Sequence, residues 1–253
     1  MRAFLSFKGA LGLALVGAFL AMAVLSPLLI DEGMTNAINV LARHAPPSLA
    51  HPMGTDQLGR EIVWRVLLGA STSLLIAVSA VLLSIAIGLP LGVVSGYFGG
   101  WTDSALMRVV DTFLSFPVLL LALTISAVLG PSVPNTILAI GIAFAPYLAR
   151  IVRGETLRVA ALPYIEAARS QGARHGRIIR RHVLPNILAP VIVQATISVA
   201  FAILAEAGLS FLGLGTQPPT PSWGLMIQAS RDYLDVAPWT ALARMPRRRT
   251  RAS

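Results

Sequence analysis

The chain contains no cysteine. That excludes a disulfide scaffold, a cysteine-ligated zinc or iron–sulfur centre and a cysteine nucleophile. Lysine is almost absent as well, with Lys8 the only one. A phosphate-binding loop that ends in Gly-Lys-Ser/Thr therefore cannot be built, and any ATP that powers this protein must be bound by another chain. The four histidines (His44, His51, His175 and His182) do not form an H-E-x-x-H pair, so neither a metal nor another cofactor is expected. Charge is scarce: only 12% of the 253 residues are charged, against about 25% in a soluble domain. What fills the chain instead is apolar, at 55% hydrophobic residues and a mean hydropathy of +0.74. Disorder needs the opposite composition, and a soluble globule would lack polar residues for its surface. The composition is that of an integral membrane protein.

Twenty basic residues face 11 acidic ones, for a net charge of +9. Such an excess can mark a nucleic-acid binder. Here the arginines sit between long uncharged runs, as loop charges of a membrane protein do, and no nucleic-acid partner is expected. The uncharged runs define the spans. Gly9–Ile30 follows Arg2 and Lys8 and is long enough for a membrane helix, which needs about 20 residues. It reads as an uncleaved anchor rather than a signal peptide, because the apolar run fills the whole stretch. The two basic residues place the N-terminus in the cytoplasm. Span two is expected at 71–96, and its glycines and Pro90 interrupt it. A turn follows at Gly96–Trp101. Spans three and four are expected as a hairpin, at 111–129 and 135–152, divided by the turn around Gly130-Pro131. Span five is expected at 187–212.

Between Arg150 and Leu184 the character changes. Eight arginines stand against Glu155 and Glu166, and the positive-inside rule makes the segment cytoplasmic. Four crossings from a cytoplasmic N-terminus give the same side. Glu155 to Ser170 is expected as one helix that Gly172 ends. Arg174–Val183 is expected as a second, stopped at Leu184-Pro185-Asn186. Ala168 and Gly172 lie four apart on one face, Ala167 widens that small-residue patch, and Glu166 offers an acceptor beside it. Arg174, Arg177 and Arg181 line one side of the second helix. Such a pair of helices suits docking into a groove on a partner. The same residues also fit an ordinary helix with a glycine C-cap.

The run Glu166-Ala167-Ala168-x3-Gly172, then nine residues, then His182-Val183-Leu184-Pro185 resembles the EAA loop of ABC importer permeases. His182 stands where isoleucine is usual, and Val183 supplies the aliphatic side chain one place later. GTDQLGRE (54–61), GYFGGWTD (96–103), RHVLPN (181–186) and LSFLGLGTQPPTPSWG (209–224) are similar to motifs of the dipeptide/oligopeptide/nickel branch of that family. The resemblance implies an all-α polytopic membrane bundle that performs no bond chemistry. It implies a homologous second permease, two cytoplasmic ABC ATPase subunits and an external solute-binding protein. It further implies that Glu166, Ala167, Ala168, Gly172, Arg177, Leu184 and Pro185 couple the spans to the ATPase, and that the inner membrane is the location.

The organisation expected is an anchor at 1–30, an external loop with an amphipathic helix at 31–70, and a transmembrane domain at 71–242 that carries the coupling loop at 155–185. A basic tail at 243–253 stands where relatives run into a sixth span, so five spans are expected. Asp111 and Glu206 sit near span ends within reach of water. As ionisable groups of a membrane protein they are candidates for gating or for the solute path. A secondary transporter or a channel-like protein is the alternative class. Neither paired inverted repeats nor a filter loop or charged ring is visible, and a membrane enzyme lacks its catalytic set.

Overall fold

A computed structural model of the chain describes residues 7–233, 235 and 237–240. Ten α-helices lie among them: α1 (Phe7–Leu29), α2 (Glu32–Asn36), α3 (Ile62–Phe98), α4 (Gly100–Leu114), α5 (Val118–Leu129), α6 (Val133–Ala160), α7 (Pro163–Ser170), α8 (His175–Ile178), α9 (Leu184–Phe211) and α10 (Trp223–Ser230). The β pairing found among the described residues is a single antiparallel bridge between Thr55 and Glu61. Four helical stretches are long and apolar enough to cross a membrane, and a fifth arises if α4 and α5 together form one bent span. The chain is all-α, as the hydropathy implies, and the expected five spans are reached when α4 and α5 count as one. The expected basic tail at 243–253 lies outside the described residues.

The chain divides into two compact units. One comprises the described residues of Met1–Leu75 and Ser210–Ser253. Its order comes from local polar closure. Asp31 caps α2 by accepting from the Gly33 amide at 3.0 Å. The Asp56 carboxylate accepts from the amides of Leu58 (2.8 Å) and Arg60 (3.0 Å) and from the Arg60 guanidinium at 2.7 Å. The GTDQLGRE segment is thus a closed turn ahead of α3, whose first residue is Ile62; Asp56 does not cap the helix directly. Ser222 caps α10, and the Trp223 indole donates to the Val66 carbonyl at 3.0 Å.

The second unit is Ile76–Leu209. One apolar cluster gathers Ile76, Ala80, Ala122, Ile140, Ala143, Ala202, Ala205 and Leu209. Another gathers Val93, Tyr97, Leu148, Val152, Val159, Ile165, Ile178, Val183, Ile187 and Val191, and it ties α7 and α8 to the membrane helices. Between α3 and α6 runs a seam of small residues. A Cβ on Gly88, Gly92 or Gly96 would lie 2.7, 2.5 or 2.8 Å from the carbonyls of Ala145, Ala149 and Arg153. Both series step by four residues, so one face of each helix meets the other backbone to backbone, the packing that small residues allow between membrane helices. The glycines that looked like interruptions of span two are its contact surface. Helix α3 continues through Pro90.

Two further segments differ from expectation. The residues after the Gly99–Gly100 turn form the amphipathic helix α4, and α5 leaves it at 85°. Pro117 imposes the break, because a proline disfavours helical backbone at the residue before it. The second helix of the charged loop does not stop at Leu184-Pro185-Asn186. A π-helical turn at Ile179–Val183 carries α8 into α9 without interruption. The Leu184 amide donates to the Ile179 carbonyl, five residues back. This wider turn absorbs Pro185, whose ring would otherwise crowd the carbonyl four residues earlier.

Candidate functional site

The charged segment between α6 and α9 is built from its breaks. The α6 helix runs on to Ala160, so the single helix expected from Glu155 to Ser170 is two: the end of α6, a turn at Ala161-Leu162, and α7 starting on Pro163. Proline is suited to a first helical turn because its missing N–H would have no partner there. The α7 helix ends in a Schellman motif. The Gly172 amide donates to Arg169 at 2.9 Å and the Ala173 amide to Ala168 at 3.1 Å. Gly172 supplies the left-handed residue this needs, at φ +78°.

Burial shows which side of α7 is outward. Ile165 is fully buried, and Ala168 packs against the same cluster. Glu166 and Ala167 are exposed. The proposed small-residue patch is therefore divided. Ala168 and Gly172 do not form one helical face, since Ala168 turns inward and Gly172 lies past the helix end. A Cβ on Gly172 would meet nothing within 4 Å. Arg177 and Pro185 are exposed, while Leu184 is partly buried against the core.

Three groups that sequence reasoning passed over hold this segment. The Tyr97 hydroxyl and His175 Nδ1 are 3.0 Å apart, and the Arg169 guanidinium lies 4.9 Å from the centre of the Tyr97 ring. Phe98 packs edge-on against His175 at 5.8 Å. One aromatic pair at the end of α3 thus touches both α7 and α8. Beside it, Arg153 makes a two-pronged bond to Asp103, with both N···O distances 2.5 Å, and Ser95 also donates to Asp103. A usable signal was present: Asp103 and Arg153 are opposite charges at the borders of two apolar runs.

The two candidate path residues differ in setting. Asp111 pairs with Arg150, and both side chains are more than half exposed. Glu206, expected near water, is fully buried. Ala202 and Ala205 beside it on α9 are buried as well, so neighbouring helices come close on that face. Asp111 thus meets the charged segment at its first arginine, Arg150, while Glu206 lies on α9 away from its start. Among the described residues no group of three or more His, Asp or Glu could hold a metal.

Residues 88–244 match the family described as binding-protein-dependent transport system inner membrane component. The chain belongs to this family. It is a transmembrane transport subunit, a permease, and not an enzyme. The permease is 43% identical over 231 residues to the dipeptide transport system permease protein of Alkalihalophilus pseudofirmus, covering 91% of this chain and 76% of that one. It is 45% identical over 196 residues to the glutathione transport system permease protein of Escherichia coli O6:K15:H31, covering 78% of this chain and 65% of the relative. Its fold matches a chain of the inward-facing methionine ABC transporter with a TM-score of 0.59 at 20% identity, over 72% of this chain and 87% of the other.

Proposed function

We propose that the permease is one membrane half of an ATP-driven importer for dipeptides, oligopeptides or similar small solutes, and that a separate ATPase drives it through α7. The observation that carries the solute class is the 43% identity to a dipeptide permease across 91% of the chain. The coupling role is supported by the geometry of α7. It is a short helix anchored from below by Ile165, with Glu166 and Ala167 presented outward and its end fixed by the Gly172 cap. Glu166 and Ala167 form the contact face. Arg177 supplies charge beside it. Ala168, Gly172, Leu184 and Pro185 shape the segment, and α8 transmits its displacement directly into α9 through the π turn.

In this reading the segment 155–185 is cytoplasmic, as is the N-terminus. A homologous second permease, two ATPase subunits and an external binding protein complete the assembly. ATP-driven closure of the ATPases pushes α7 and shifts the spans between inward- and outward-facing states, a two-state change that ligands bias. Asp111 and Glu206 remain the proposed gating or path residues, Asp111 through its ion pair with Arg150 and Glu206 as a buried ionisable group on a span. The domain limits at 30, 70 and 242 are proposed with it.

The test is co-purification of the full chain with its partner subunits. Ala167→Trp should insert normally but recover far less ATPase, because it places a bulky ring on the contact face. Equal recovery from wild type and variant would remove α7 as the coupling element.

A further inference from the structure

Unit Ile76–Leu209 contains a cavity of about 640 Å³, within the range of about 300–1,000 Å³ typical of small-molecule sites. The 85° bend between α4 and α5 forms one wall and α6 and α9 form two more, while the mouth is open, with Phe116, Tyr147 and Phe201 more than half exposed. Five aromatic rings line it: Phe113 and Phe116 at the bend, Phe144 and Tyr147 on α6, and Phe201 on α9. Ala143 and Ala205 leave space between the rings. Two polar side chains, Gln194 and Ser198, lie one turn apart on the α9 wall. Ser198 is buried, and the Gln194 amide donates to its hydroxyl at 3.4 Å. That bond is longer than the usual 2.7–3.2 Å, so a ligand amide can replace it at small cost.

We propose that this cavity is a solute subsite that takes one apolar or aromatic side chain of a peptide-like solute, with Gln194 and Ser198 serving the solute's backbone amide. The inference rests on the peptide-import reading above and adds a place of recognition within the membrane part of the permease. Aromatic walls with a small number of placed polar groups are the usual make-up of such a site. An acyl chain would need no polar partner, and it would leave Gln194 and the buried Ser198 with only their long bond to each other.

The test uses the complete transporter, this chain with its native partner subunits, reconstituted in proteoliposomes. The probes are diglycine, glycyl-phenylalanine and glycyl-tryptophan. Ser198→Leu fills the cavity and should lower uptake of glycyl-phenylalanine relative to diglycine by about tenfold or more, the scale on which an apolar pocket discriminates. Phe201→Ala, at an exposed position, enlarges the cavity and should raise the ratio of glycyl-tryptophan to glycyl-phenylalanine. Unchanged ratios in both variants, with wild-type uptake intact, overturn the subsite alone. Loss of the second permease from the purified Ser198→Leu complex also overturns it, since the cavity would then be a subunit interface. Absence of uptake of all three peptides by wild type overturns the peptide reading, and the subsite with it.

Discussion

Gly172 shows how one residue can carry both a structural and a functional reading. Its φ of +78° disfavours any residue with a Cβ, although space around it is open. Gly172→Ala should therefore destabilise the segment by about 1–2 kcal/mol, the usual cost of a left-handed L-residue, and Gly172→Asn by less. Melting temperatures of the purified variants check this order; equal temperatures would deny the cap its role. Tyr97 offers a second case. Tyr97→Phe keeps the ring under Arg169 and removes the hydroxyl from His175. It should weaken protection of amides 163–178 in hydrogen exchange by about 0.5–1.5 kcal/mol, the net value of one such bond. Unaltered exchange would show that the bond does not hold the segment. The helix stop at Gly172 was legible in the sequence because its signal is local. The inward turn of Ala168, the burial of Glu206 and the anchoring by Tyr97 were not, because each depends on which helix lies alongside.

At the scale of elements, the seam between α3 and α6 is the most exacting contact. A Cβ on Gly92 would stand 2.5 Å from the Ala149 carbonyl and 2.6 Å from Val152 Cβ. Gly92→Val should separate the helices and cost several-fold in folded yield, read by size-exclusion chromatography of the detergent-solubilised protein. Gly208→Ala, where nothing lies within 4 Å, should match wild type. Similar losses in both would mean that glycine matters there for another reason. Hydropathy revealed the apolar runs but misplaced their ends. Helix α4 is not legible in the hydropathy, because Asp103, Arg108 and Asp111 interrupt the apolar run. They are one side of an amphipathic helix. The π turn was equally hidden: proline after a charged helix ordinarily ends it, and only a continuous helix on both sides shows that it did not. Replacing Pro185 with alanine removes the reason for the wide turn. The α8–α9 junction should then tighten toward ordinary helical register, which disulfide trapping between paired introduced cysteines on α8 and α6 would detect as a changed partner.

For the whole molecule, the lack of native cysteine makes topology directly measurable. Leu49→Cys and Ser170→Cys each create a single thiol at an exposed position. In the proposed topology an impermeant maleimide labels Leu49→Cys in intact cells and labels Ser170→Cys only after the membrane is opened. Labelling of Ser170→Cys from outside would invert the arrangement and end the coupling proposal.

The bend after α4 has a consequence for the surrounding lipid. Helix α5 has 12 residues and rises about 18 Å at about 1.5 Å per residue, well short of the roughly 30 Å of hydrocarbon. Even standing upright, it leaves part of the bilayer's oily depth unmatched. Wherever α5 meets lipid, the bilayer has to thin toward that length, and thicker membranes add elastic strain there.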